Sequence, residues 1–193
     1  MKRLSNLMLL ANLLSTIFYS MSYPYIYKYL VEAVSSEYIG MEQLIACVGS
    51  VVIGTLWNKY GDNLFPHYAK IVVAETVADL MLFIGVIVTI NLKSYFIFNV
   101  LIYAVITRNL SCGGIKMRAK VNPTEQLRER FDNNSNSINS VATILGTLTE
   151  LIFDFELSTL FILAMIGGII DNFIYMYIFK KLRKDEKSCL IIR

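Results

Sequence analysis

Residues Leu7 to Tyr27, "LMLLANLLSTIFYSMSYPYIY", contain no ionised side chain. A helix needs about 20 apolar residues to cross the hydrocarbon of a bilayer. This stretch decides the class, because the rest of the chain shares its character. Only 17% of the 193 residues are Asp, Glu, Lys or Arg, against roughly 25% in ordinary soluble domains. Lys2 and Arg3 ahead of the run also fit a secretory signal, but the run is long and no small-x-small cleavage site follows it. It reads as a retained helix.

Apolar mass, bounded by turn or charge clusters, places five further spans. They are Met41 to Trp57, Ala69 to Asn91, Tyr95 to Ile115, Asn134 to Phe153 and Leu157 to Phe179, with a basic tail over 180–193. The prediction is one all-α domain, 1–193, of six transmembrane helices. The rival is a soluble bundle with unusually apolar buried helices. Loop charges arbitrate. With the N-terminus cytoplasmic, all of the 18 basic residues fall on inner segments except Lys28, Lys93 and Arg108. A soluble bundle has no reason to sort its basic residues this way. The expectation is a multi-pass cell-membrane protein with both termini cytoplasmic.

The net charge of +3 therefore describes a cytoplasmic membrane face and gives no sign of nucleic acid as a partner. "YPYIYKY", Tyr23 to Tyr29, fits the outer aromatic belt, with Lys28 snorkelling. Cys47, Cys112 and Cys189 lack metal-ligand spacing, and four residues follow Cys189 where a prenylation box has three. The one histidine, His67, lies in an inner loop, without a Ser/His or Cys/His constellation or a phosphate-cradling glycine loop. No metal, cofactor or enzymatic activity is expected. Sequons at Asn109 and Asn133 fall in a helix and on the inner side and carry no glycosylation reading.

Between the second and third spans stands "GTLWNKYGD", Gly54 to Asp62. A tight inner turn calls for glycine and basic residues. The order carries more: Gly54, Leu56, Lys59, Tyr60 and Gly61 resemble the loop signature of the major facilitator superfamily, which lies between helices two and three. A second stretch, "RNLSCGGIKMRAKVNPTEQLRERFDNNSNSINSVATILGTL" from Arg108 to Leu148, is similar to the helix-four to helix-five region of that family's macrolide-efflux (drug/proton antiporter) branch. That likeness rests on Arg108, the Pro-Thr-Glu-Gln-Leu segment, the Asn/Ser-rich start of helix five and Gly146. The sequence departs from the family pattern at Asn58, where the signature has an acid, and at Asp62 and Asn63, where it has basic residues. Gly113 follows Arg108 by five residues instead of four. The resemblance implies a loop that locks two rigid halves, and the neutral Asn58 weakens that lock.

Charges inside the spans need partners or water. At ~1.5 Å per residue, Glu75 and Arg108 come to one depth, which predicts a Glu75–Arg108 pair. The pair is either a proton-triggered switch or a static tie. Asp79, one turn above Glu75, extends a carboxylate ladder. Asp171 in helix six corresponds to Asp79 in helix three if two three-helix repeats are present. Both are expected to be structural, since the resemblance implies that helices one and four line the path. Glu150 is expected to reach water near the outer end of helix five. Asn12 is placed to bond Arg108, a substrate or a neighbouring helix. Gly49, Gly54, Gly146, Gly167 and Gly168 read as close helix packing. "FDNNSNSINS", 131–140, fits either a flexible loop or a hydrated start of helix five.

Members of the family have two six-helix halves, and this chain supplies one. The expected function is that of a half-size secondary transporter, moving a small hydrophobic drug-like or peptide-like molecule against protons. It would work as a homodimer or with a second half. The alternatives are a non-transporting membrane protein (a remnant, an accessory or an immunity module) or a six-helix substrate-binding subunit of a vitamin importer. The last lacks a Gly54 to Gly61 type of loop.

Overall fold

The computed structural model describes the backbone of residues 2–34, 36–89, 93–153 and 155–191. Side chains are described outside 25–39, 81–104 and 185–191, and apart from 23, 42–43, 46, 78–79, 107, 157–158 and 161. Asp79, Lys28, Lys93, Cys189 and most of the tyrosine belt therefore lie outside the described residues.

The described chain is all helical. It comprises α1 (Lys2–Val34), α2 (Ser36–Leu64), α3 (Tyr68–Thr89), α4 (Lys93–Val121), α5 (Glu125–Phe153) and α6 (Leu157–Ile191), with a 3-10 turn, Phe65–His67, between α2 and α3. Two stretches among the described residues, Lys2–Ser22 and Ile162–Lys184, are long and apolar enough to cross a bilayer.

The helices run past the limits set by apolar content. The chain does not turn at "GTLWNKYGD": α2 continues through it to Leu64, and the reversal falls at Phe65–His67, where Pro66 fixes its φ. α5 begins at Glu125, nine residues before the expected Asn134, because Thr124 caps it. The Leu127 N–H donates to Thr124 Oγ1 at 3.3 Å, the geometry of an N-cap. "FDNNSNSINS" is thus helix and not a loop. The basic tail is also helical as far as Ile191. Apolar content marks where a helix meets oil, whereas caps and prolines decide where it ends.

Packing arranges the helices in the spatial order α5, α1, α6, α3, α4, α2, each with its extensive contacts to its neighbours in that row. Named contacts give the directions. Asn12 and Thr16 of α1 bond Ser135 and Asn139 of α5 in ascending order, so these helices run parallel. Gly54, Trp57 and Gly61 of α2 meet Arg108, Gly113 and Lys116 of α4 in the same way. Phe18 and Ser22 of α1 meet Gly167 and Leu160 of α6 in descending order. Tyr68 and Thr76 of α3 likewise run against Phe179 and Asn172 of α6. Tyr68 and Phe65 meet Gly113 and Lys120 of α4, again in reverse. α1, α3 and α5 therefore point one way and α2, α4 and α6 the other. Exchanging α1 with α4, α2 with α5 and α3 with α6 maps this contact pattern onto itself and reverses every direction.

The described core gathers at one end, where the start of α1, the end of α2 and the end of α6 meet. Leu4, Met8, Trp57, Phe65, Tyr68, Met117, Val121, Phe131, Phe179 and Leu182 are buried there. Phe179 meets Phe65 edge-on at 5.4 Å and Tyr68 at 5.6 Å, an aromatic knot joining α3 to α6. Elsewhere large apolar side chains face outward, among them Val51 and Ile152, each 71% exposed, and Phe173, 67% exposed.

Candidate functional site

Gly54, Trp57 and Gly61 of "GTLWNKYGD" recur at three and four residues on one face of α2, and this face is fitted to α4. A Cβ on Gly54 would stand 3.5 Å from Nη2 of Arg108, and one on Gly61 3.3 Å from Nζ of Lys116. Between the glycines, Trp57 is buried and its Nε1 donates to Asn109 Oδ1 at 2.9 Å. Asp62 closes the row in an ion pair with Lys116. Lys116 holds the Asp62 carboxyl below its ordinary value of 3.8, through its hydrogen bond and its charge. Asn58 and Lys59 are exposed on the far side. The nonapeptide is a helix-to-helix seam, in which glycine makes room for the long basic side chains of α4.

The expected Glu75–Arg108 pair does not form. The ion pairs between described residues are Lys116–Asp62 and Arg118–Asp132, the latter 3.0 Å long and tying α4 to α5. Equal depth does not fix azimuth: Arg108 turns toward Gly54 of α2. Glu75 lies on the buried face of α3 that also carries Tyr68 and Val72. Nε of Arg108, the hydroxyl of Tyr68 and Oδ1 of Asp171 are buried without a hydrogen-bond partner, a condition that is uncommon in folded chains.

Asn12 does not reach Arg108 either. Its Nδ2 donates to Ser135 Oγ at 2.9 Å and its Oδ1 accepts from the Tyr175 hydroxyl at 3.3 Å, so one amide links α1, α5 and α6. Thr16 donates to Asn139 Oδ1 at 3.2 Å one turn on. Glu150, expected in water, is buried on the α1-facing side of α5 with Gly146 and Ala142. Gly146 and Gly167 are packing positions: a Cβ there would come within 2.5 Å of the Ile17 carbonyl and 2.7 Å of Phe18 Cβ, respectively. Gly49 faces open space, and Gly113, which the spacing argument left aside, lies against the Tyr68 ring. Cys47 is exposed and Cys112 buried, both as free thiols. Among the described residues no cluster of His, Cys, Asp or Glu is able to hold a metal ion.

α5 has three faces. Phe131, Ser135, Ala142, Gly146 and Glu150 turn inward to α1. Val141, Ile144, Leu145, Leu148 and Ile152 form an exposed apolar face. Between these faces runs an exposed polar stripe of Glu129, Asn133, Asn136, Ser140, Thr143 and Thr147, spaced by four and three residues. Ser140 and Thr143 donate back to the carbonyls of Asn136 and Asn139, which leaves oxygen lone pairs outward. Only the clustering of Asn and Ser in 131–140 signals this stripe in the sequence, since its continuation through Thr143 and Thr147 is interleaved with apolar residues.

Comparison with known protein families, with curated proteins and with solved structures finds no match.

Proposed function

We propose that the chain is a six-span membrane protein with both termini cytoplasmic, one half of a major-facilitator-type secondary transporter. It exports a small molecule with an apolar body in exchange for protons, and it completes its path as a homodimer or with a separate second half. The observation that carries this reading is the packing pattern that maps onto itself, with reversed direction, under exchange of the first three helices with the last three. Inverted repeats of this kind are a common construction of secondary transporters. The outward apolar faces of α2, α5 and α6 suit lipid, and the basic residues Lys59, Lys116, Arg118 and Arg183 lie toward the end that holds the start of α1 and the end of α6. The polar stripe of α5 explains why a second half is needed, because hydrogen-bonding side chains are poorly placed against hydrocarbon.

The test is the subunit count of the purified chain in lipid nanodiscs, by native mass spectrometry or single-particle photobleaching. Proton flux in liposomes, with Arg108→Ala as control, accompanies it. A discrete dimer with substrate-dependent flux that Arg108→Ala abolishes is the expected result. A sealed monomer that moves neither protons nor substrate overturns it in favour of a non-transporting module, a role that the neutral Asn58 also fits.

A further inference from the structure

α2, the 3-10 turn, α4 and α6 enclose a hollow of about 150 Å³ near the start of α1. Its floor is aromatic, made by Phe65 and Phe179. Nζ of Lys120 stands 4.9 Å above the Phe65 ring, and the Arg183 guanidinium carbon stands 5.8 Å above the Phe179 ring. Those rings are themselves in edge contact. Two cations from two helices thus line the same hollow, each in cation–π contact with its own ring. Lys116 adds a third, sunk in the hollow with 26% of its side chain exposed, while Asp62, its ion-pair partner, sits at the rim with 95% exposed.

We propose that this hollow seats a phosphate group, held by Lys116, Lys120 and Arg183 in place of the Asp62 carboxylate. The argument rests on convergence: three basic side chains from two helices meet over one aromatic floor. A phosphate offers several oxygens to separate donors, and arginine grips two of them at once. A carboxylate such as that of Asp62 occupies one lysine alone. Asp62 is mostly solvated and so can be displaced, which makes it a resident competitor for the seat. The phosphate can belong to the headgroup of an anionic lipid in the adjoining leaflet, where basic pockets between helices commonly take such groups, or to a soluble phosphorylated molecule. The seat does not depend on transport and stands if the chain moves nothing.

The experiment uses the full chain, delipidated in a neutral detergent and titrated with phosphatidylglycerol and phosphatidylcholine under native mass spectrometry. Inorganic phosphate serves as competitor. Lys120→Ala/Arg183→Ala is expected to weaken phosphatidylglycerol binding about tenfold or more, as loss of charge-assisted bonds implies. Lys180→Ala/Lys181→Ala removes the same charge from exposed positions on α6 and is expected to change binding less than about twofold. Equal weakening by both pairs, or phosphatidylglycerol binding no tighter than phosphatidylcholine, overturns the proposal. Should the first double variant not fold, Asp62→Asn decides: binding tightens several-fold if the rim carboxylate competes. Binding that tightens no more than with Asp132→Asn, an exposed acid elsewhere, overturns the seat. Displacement by millimolar inorganic phosphate assigns it to a soluble ligand, and persistence of the lipid assigns it to a headgroup.

Discussion

α2 and α5 occupy equivalent places at the two ends of the helical row, each leaning on one main neighbour and running parallel to it, yet their outward faces differ. That of α2 carries Leu44, Val48, Val51 and Val52. That of α5 divides into an apolar strip and a polar stripe from Glu129 to Thr147. Their inward faces differ too. α2 meets α4 through glycines that admit arginine and lysine, while α5 meets α1 through short amides and hydroxyls and through Gly146, which admits the α1 backbone itself. Backbone architecture can be exchanged between the two sides, and chemistry cannot. In the proposed half-transporter the polar edge is the one that would face a partner, and the apolar edge the one that would face lipid.

The strongest way to break this comparison is to fill a glycine on each side. Gly146→Leu drives a side chain into the α1 backbone and is expected to destabilise the chain by about 2–3 kcal/mol or prevent folding. Gly49→Leu enters open space and is expected to stay within about 0.5 kcal/mol. Thermal melting in detergent checks both. Next comes the stripe itself: Asn136→Leu/Ser140→Leu/Thr143→Leu should leave melting unchanged but reduce dimer population and proton flux about tenfold, equivalent to roughly 1.4 kcal/mol of association. The matching change on α2, Val48→Ser/Val51→Ser, should leave both nearly unaltered. If α2 proves the sensitive edge, the assignment of roles is reversed.

Asn12→Ala removes one hydrogen bond from α1 to α5 and one to α6 and is expected to cost about 1–2 kcal/mol, read by unfolding in mixed micelles. The smallest effect concerns Asp62. Its carboxyl is held below 3.8 in the folded chain, so its contribution to stability is fully present above that value and is lost as pH falls through the lower, folded one. Asp62→Asn should therefore lower melting slightly across the neutral range and merge with the parent chain below about pH 4, which flattens the acid side of the melting-versus-pH profile. A difference that instead grows below about pH 4 would place the coupling elsewhere.

Helix content and the number and order of helices were legible from apolar runs such as Leu7 to Tyr27 and the punctuation between them. The ends were not, because Thr124 and Pro66 act through local hydrogen bonding and dihedral restriction, to which hydropathy is blind. "GTLWNKYGD" was read as a turn and is helix. Two glycines seven residues apart suit a turn, but they also put a smooth strip on one helix face, and only the partner helix distinguishes the two. Arg108 and Glu75 illustrate the same gap. Depth along a helix follows from counting, whereas the direction of a side chain about the axis depends on which neighbour arrives.

The spatial order of the row also sets a timetable. The main neighbours of α1 are α5 and α6, whose synthesis begins about 90 residues or more after α1 ends. At about 5–20 residues per second, α1 waits roughly 5–30 seconds before its lasting partners exist. Asn12 and Thr16 meanwhile have neither Ser135 nor Asn139 to bond. A first helix built this way must be stable alone in its surroundings. Any truncation that removes α5 and α6 leaves it permanently at that early stage.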